Sequence, residues 1–305
     1  MANKRLKIGT RGSRLALIQA QRVAQRLESA WEGLEVTVET IRSEGDLDQT
    51  TPVELLGGEG LFTRALDQAL ARRRIDCAVH SAKDLPTRLF PGTVIAAIPE
   101  RISPLDAFIS RDGLPLSNLP AGSVVAAGSH RRRAFLKRMR PDIELAGIRG
   151  NIETRIEKIG RLEADGLVVA HAALLRLGIS PIEVFGPDRM MPAAAQGAIA
   201  VTARADDREM LRLLGGLSDL WAALTVLAER TVLAGLGADC HTPIGVLGEI
   251  SGGGGLELAA SLCSADGKTL LRDVISGAAK DAEKLGRELA RRLLERDARV
   301  MLKMK

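Results

Sequence analysis

Residues 6–27 read LKIGTRGSRLALIQAQRVAQRL, and the two halves of that stretch have different periods. Leu6 to Gly9 is a short apolar run that stops at Thr10-Arg11-Gly12-Ser13. Beyond it, Leu15, Leu17, Ile18, Val23 and Leu27 recur with the spacing of one helix face, and Ser13 stands where an N-cap belongs. A strand joined to a helix by small and basic residues predicts an α/β fold with polar clusters at its strand ends.

The alternation continues outward. Val36 to Ile41 reads as a strand, Gly57-Gly58-Glu59-Gly60 as a loop and Ala65 to Arg72 as a helix. Cys77 to Val79 and Val94 to Ile98 read as strands. In a second set, strands fall over Ala107 to Ile109, Val124 to Ala127, Ile143 to Ile148 and Leu167 to Ala170. Helices open near Ser129 and Asn151, and another runs through Arg176. Ala198 to Val201 is a further strand that returns to the first set. From about Leu217 the pattern becomes a long helix (Trp221 to Leu233), a Gly-rich loop at Cys240, strands around Val246 and Leu256 to Leu262, and a helix from Ala279 to Leu294. The expected organisation is two αβ domains, 1–99 with 198–216 and 100–197, followed by an α+β domain over 217–305.

A chain of 305 residues is long enough for two or three small domains. Aromatic residues make up 2% with no Tyr, so the cores are expected to rest on Leu, Ile, Val and Ala. No apolar run approaches the length of a membrane helix, and no signal segment follows the basic start, so a cytoplasmic protein away from membranes is expected. Three cysteines without metal-like spacing predict neither a disulfide framework nor a metal site. The net charge of +5 favours anionic partners in general. Nucleic acid is the weakest of these, because Arg72-Arg73-Arg74 and Arg131-Arg132-Arg133 come without a recognition motif or stacking aromatics.

Ligands of open α/β sheets bind beyond the carboxyl ends of strands. Four clusters fall there: Arg11-Gly12-Ser13, Ser81-Ala82-Lys83-Asp84, Ser129-His130-Arg131-Arg132, and Arg149-Gly150-Asn151 with Arg155 one turn on. Singly, each arginine reads as a helix cap or surface ion pair as readily as a ligand contact. Their common placement points to a cleft for an anion with several carboxylates or phosphates, which the guanidinium fork matches. Asp84 is an acid at the mouth of that basic cleft, and taken alone it reads as a cap or a salt-bridge partner. Cys240 lies in GADCHTPIG, a tight loop where a deprotonated thiol would serve as nucleophile or attachment point. Cys77 and Cys263 sit in apolar strands as packing residues. His241 is a base beside Cys240 with no evident acid partner.

In order, IGTRGSRLAL, GGEGLF, AVHSAKDLPT, SHRRRAFL, IRGNIETRI, LLRLGI, AQGAIAV and AERTVLAGLGADCHTPIG resemble the porphobilinogen deaminase (hydroxymethylbilane synthase) family over nearly the whole chain. The resemblance implies two αβ domains like those of periplasmic binding proteins around a cleft, and a smaller third domain. It implies a monomer that condenses four porphobilinogen units, losing ammonia, on a dipyrromethane cofactor held by a thioether to Cys240. By the same resemblance Arg11, Lys83, Arg131, Arg132, Arg149, Arg155 and Arg176 line the polyanion's path, with Ser13, Ser81 and Ser129 as hydroxyl partners. Asp84 would be the catalytic acid that stabilises positive charge as ammonia leaves, and Phe62 the aromatic residue beside the cofactor.

Several positions depart from the family pattern. Leu55 and Glu59 stand where Lys is usual, Ala65 where Glu is frequent, and Ala127-Gly128 where Thr-Ser is common. Ala195 replaces a Gly, and Ala238-Asp239 replace two more. The expected effect is weaker ligand contact, with Asp239 disfavouring a thiolate at Cys240. A divergent binder of a carboxylated pyrrole without turnover, and a ligand-sensing module, are the competing readings.

Overall fold

The computed structural model describes residues 4–42, 60, 63–161, 164–239 and 241–298; Leu55, Glu59, Phe62 and Cys240 lie outside them. The chain divides into two compact units, 1–102 with 198–223, and 103–197 with 224–305.

In the first unit the opening stretch folds as its periodicity requires. Strand β1 (Lys4–Thr10) leads into α1 (Arg14–Ala30), capped by Ser13, whose hydroxyl accepts from Ala16 N. Next come β2 (Leu34–Thr40), α2 (Arg64–Ala71), β3 (Cys77–Ser81), a 3-10 turn over Ala82–Asp84, and β4 (Thr93–Ala97). The sheet order is β2-β1-β3-β10-β4, where β10 (Ile199–Arg204) returns from far along the chain and runs antiparallel to both its neighbours. Every residue of β10 is buried, as a central strand covered on both faces demands.

The second unit repeats that order. Its sheet runs β7-β6-β8-β5-β9, built from β5 (Asp106–Ser110), β6 (Val124–Ala126), β7 (Glu144–Ala146), β8 (Gly166–Ala170) and β9 (Glu183–Phe185). Here the antiparallel strand, β5, comes first in the chain rather than last. Helices α3 (His130–Met139), α4 (Ile152–Arg161) and α5 (His171–Leu177) follow β6, β7 and β8. After α6 (Arg208–Gly215), α7 (Leu220–Leu236) leads to an antiparallel meander of β11 (Ile244–Ser251), β12 (Gly255–Cys263) and β13 (Leu270–Ala278), closed by α8 (Ala282–Leu293).

Strand alternation buries both faces of β12. Leu256, Leu258, Ala260 and Leu262 pack with α7 and α8, whereas Ala259 and Cys263 join Phe108, Phe135 and Phe185 in a second core. Three of the five Phe thus gather there, qualifying the expectation of purely aliphatic cores. The α/β class with a small α+β part holds. Strands β9 and β13 and helix α6 are additions to the sequence reading. Strand β9 has only three residues, and β13 is an edge strand whose LLRDVISGA stays largely open to solvent.

Candidate functional site

In the first unit β1 and β3 are parallel neighbours, so their carboxyl ends and the turns that follow them lie side by side. Arg11, Ser13, Ser81 and Asp84 line one depression there, joined by Gln19 and His80. At about 60 Å³ it suits a carboxylate-sized group rather than a ring, since a cavity near ~150 Å³ is what holds benzene. Asp84 is exposed at the end of the 3-10 turn, and Lys83, half-buried, precedes it.

Gln19 is a functional candidate that the sequence reading passed over. It is 3% exposed and its Nε2 donates to Ser81 Oγ at 3.0 Å. The signal was its place between Leu15 and Val23 at steps of four, on the face α1 turns inward.

His80 is buried, with Nε2 3.1 Å from Thr202 Oγ1. Burial first, and then the Arg11 guanidinium, lower its pKa to about 4 from the usual 6.5. The folded chain therefore resists protonating His80 where the unfolded chain accepts a proton. Its contribution to stability is intact above pH 6.5 and is lost as pH falls toward about 4, by roughly 3 kcal/mol in all. Denaturation in urea at pH 7 and pH 4.5 should show that loss, and His80→Gln should flatten it; an equally steep loss in the variant would assign it to other groups.

In the second unit Ser129 caps α3, its Oγ accepting from Arg132 N at 3.5 Å. Arg131 and Arg132, expected among the ligand-lining arginines, are 4% and 5% exposed and converge on Asp106, which is fully buried. Arg131 Nη1 lies 2.7 Å from Asp106 Oδ2 and donates to Met191 O, while Arg132 reaches Oδ1 through both Nε and Nη2 at 2.8 Å. Gln196 completes the cluster, donating from Nε2 to Asp106 Oδ1 and to the carbonyls of Pro104 and Leu105. Arg176 Nη2 donates to Gly197 O at 2.9 Å. Between Gln196 and the preceding turn, Ala195 holds φ +60, a left-handed conformation that costs a non-glycine residue about 1–2 kcal/mol. Its N–H is fixed by the buried Glu229 carboxylate at 2.5 Å.

Arg149 and Arg155 are half-buried at the β7–α4 junction. Arg155 Nε donates to Gly150 O at 2.8 Å. Its Nη1 lies 3.3 Å from where a side chain on Gly128 would begin, and Ile148 O would be only 2.8 Å away. Glycine at 128 thus makes room for the guanidinium. Ala127, where the family pattern commonly has Thr, packs in the apolar core. Asp239, read as a threat to the thiolate, spends Oδ1 on the His241 and Thr242 N–H groups and the Thr242 hydroxyl, at 2.9–3.1 Å. It shapes the loop whose next residue is Cys240. Cys77 and Cys263 are buried in β3 and β12, and burial raises both thiol pKa values.

A polyanion fits these residues. Arg149 Nη1 is buried with no hydrogen-bond partner among the described residues, a cationic donor awaiting an acceptor. Basic and hydroxyl side chains at the carboxyl ends of parallel strands, repeated in two sheets, define an anion-binding α/β protein. Residues 6–212 match the family described as "Porphobilinogen deaminase, dipyromethane cofactor binding domain", and residues 223–295 match "Porphobilinogen deaminase, C-terminal domain". The porphobilinogen deaminase of Roseiflexus sp. (strain RS-1) is 42% identical over 97% of this chain and 98% of its own length. That of Desulforudis audaxviator (strain MP104C) is 44% identical over 95% and 94%. Among solved structures, a putative methionine-binding lipoprotein from Bacillus subtilis superposes with a TM-score of 0.43 at 14% identity, over 70% of this chain and 90% of its own. The chain belongs to the porphobilinogen deaminase family.

Proposed function

We infer that this chain is a hydroxymethylbilane-forming transferase that joins four porphobilinogen units with loss of ammonia. The observation that carries the reading is the match of residues 6–212 to a dipyrromethane-binding domain, on a chain whose strand ends present Arg11, Ser13, Ser81 and Asp84 together. When bound, the dipyrromethane supplies the pyrrole carbon onto which the first unit is added. Cys240 would hold it through a thioether, in the part of the chain over 217–305 that we assign to attachment.

Each pyrrole of the substrate class carries two carboxylates, and Arg11, Lys83, Arg149, Arg155 and Arg176 are assigned to them, with Ser13, Ser81 and Ser129 as neutral donors. Arg131 and Arg132, both held on buried Asp106, are assigned to keeping α3 in place, with the excess positive charge of the cluster adding to the basic potential at that strand end. Asp84 is exposed and sits among basic groups, where its carboxylate can face the charge that develops as the carbon–nitrogen bond breaks. Phe62 is assigned to packing beside the cofactor, by family likeness alone.

The test is the intact mass of the purified chain with peptide mapping. A mass excess equal to two linked pyrroles on the peptide containing Cys240, absent from Cys240→Ser, is the expected result. An unmodified thiol after incubation with porphobilinogen would favour a binder without turnover.

A further inference from the structure

His80 directly precedes Ser81 in AVHSAKDLPT and ends the buried part of β3. It lines the same depression as Arg11 and Asp84. Its register partner on β10 is Ala200, which makes Thr202 its diagonal neighbour on one face of the sheet. Thr202 is fully buried, and its Oγ1 lies 3.1 Å from His80 Nε2. The other ring nitrogen, Nδ1, has no hydrogen-bond partner among the described residues.

Those contacts assign the tautomer. The Thr202 hydroxyl bonds to His80 alone among the described residues, so the Nε2 lone pair is the acceptor its proton can reach. With the proton turned elsewhere, a buried donor would go unsatisfied, which costs more than the bond is worth. The hydroxyl therefore donates to Nε2, and the ring hydrogen sits on Nδ1. Burial and the Arg11 guanidinium keep the ring uncharged.

We infer that His80 is a further substrate-binding residue, whose Nδ1–H donates to a carboxylate of the pyrrole ligand beside Arg11. This rests on the proposed function. A protonated Nδ1 can only donate, and a pyrrole N–H can only donate as well, so the ligand atoms that suit it are carboxylate oxygens. The depression, at about 60 Å³, admits a group of that size. A charged imidazole would bind a carboxylate too, but it would add a cation beside Arg11 and draw Asp84 toward an ion pair. A neutral donor holds the ligand and leaves Asp84 to face the positive charge that develops as ammonia leaves. A donor fixed in this way also discriminates, because a pyrrole lacking that carboxylate would leave it unpaired.

The test uses the full chain as purified and reads the imidazole itself as well as the kinetics. The sequence has only four histidines, so isotope-labelled ring signals can be assigned by their loss in His80→Asn. The wild-type spectrum should show His80 neutral with hydrogen on Nδ1. That signal should move when the substrate pyrrole without its aminomethyl group, a diacid that cannot lose ammonia, is added. His80→Leu should raise KM for porphobilinogen about tenfold, the loss of one hydrogen bond to a carboxylate, and lower kcat by less. His80→Asn, whose amide nitrogen falls near the place of Nδ1, should recover most of that loss. Diacid bound with the His80 signals unmoved overturns the inference, even if His80→Leu folds poorly, and so does an Asn variant as impaired as Leu. A wild-type chain that neither binds the diacid nor consumes porphobilinogen overturns the proposed function, and this inference with it.

Discussion

Replacing Asp106 with alanine is expected to cost the fold about 3–5 kcal/mol, the penalty for stranding a buried charge without its partner. The estimate follows from the geometry. One fully buried carboxylate serves Arg131 and Arg132, and its loss leaves two guanidiniums in a site almost closed to water. Gln196 would lose an acceptor at the same time. Domains of ordinary size have only about 5–15 kcal/mol in hand, so a large part of the stability is at stake. Urea denaturation checks the value, and Asp106→Asn, which retains an oxygen for Gln196, should fall between. Removing Glu35 from its exposed pair with Arg5 should change little, because solvent screens that contact. A near-wild-type midpoint for Asp106→Ala would mean that neighbouring groups neutralise the arginines.

The second large effect is expected at Asp84. Asp84→Ala should lower turnover by at least about a hundredfold, in the range seen when a group facing developing charge is removed. Because the side chain is exposed at the end of its turn, the thermal midpoint should scarcely move. The two-pyrrole mass excess should remain, which separates a loss of chemistry from a loss of cofactor. Turnover is followed as product formed per chain. A wild-type rate would remove Asp84 from the chemistry and direct attention to other acids.

Much of the fold was legible because local signals agreed with tertiary demands. Ser13 before an apolar stripe marks the start of α1, and the Leu167 to Ala170 run marks a central strand. Strand β13 was not legible, since an edge strand exposed to water need not alternate cleanly. The shared order of the two five-stranded sheets was also hidden, because pairing between β3 and β10 depends on residues 118 or more apart in sequence. Within the site, the basic clusters could be found by their positions after strands. Gln19 and Asp106 could not be found that way, because polarity alone reads as exposure. Asp106 opens an apolar strand and Gln19 lies on an inward helix face, so burial assigns them to the interior and partners explain why they tolerate it.

The placement of β10 has a consequence for the order in which the sheets can be completed. A nascent chain that has emerged as far as Phe185 already holds all five strands of the second sheet but only four of the first. The strand that belongs between β3 and β4 is not made until Arg204, so those two have no ladder to join them while the ribosome adds the intervening hundred or so residues at about 5–20 per second. The later-encoded sheet is thus the first whose topology can close, and the amino-terminal one waits with a gap between β3 and its edge strand β4.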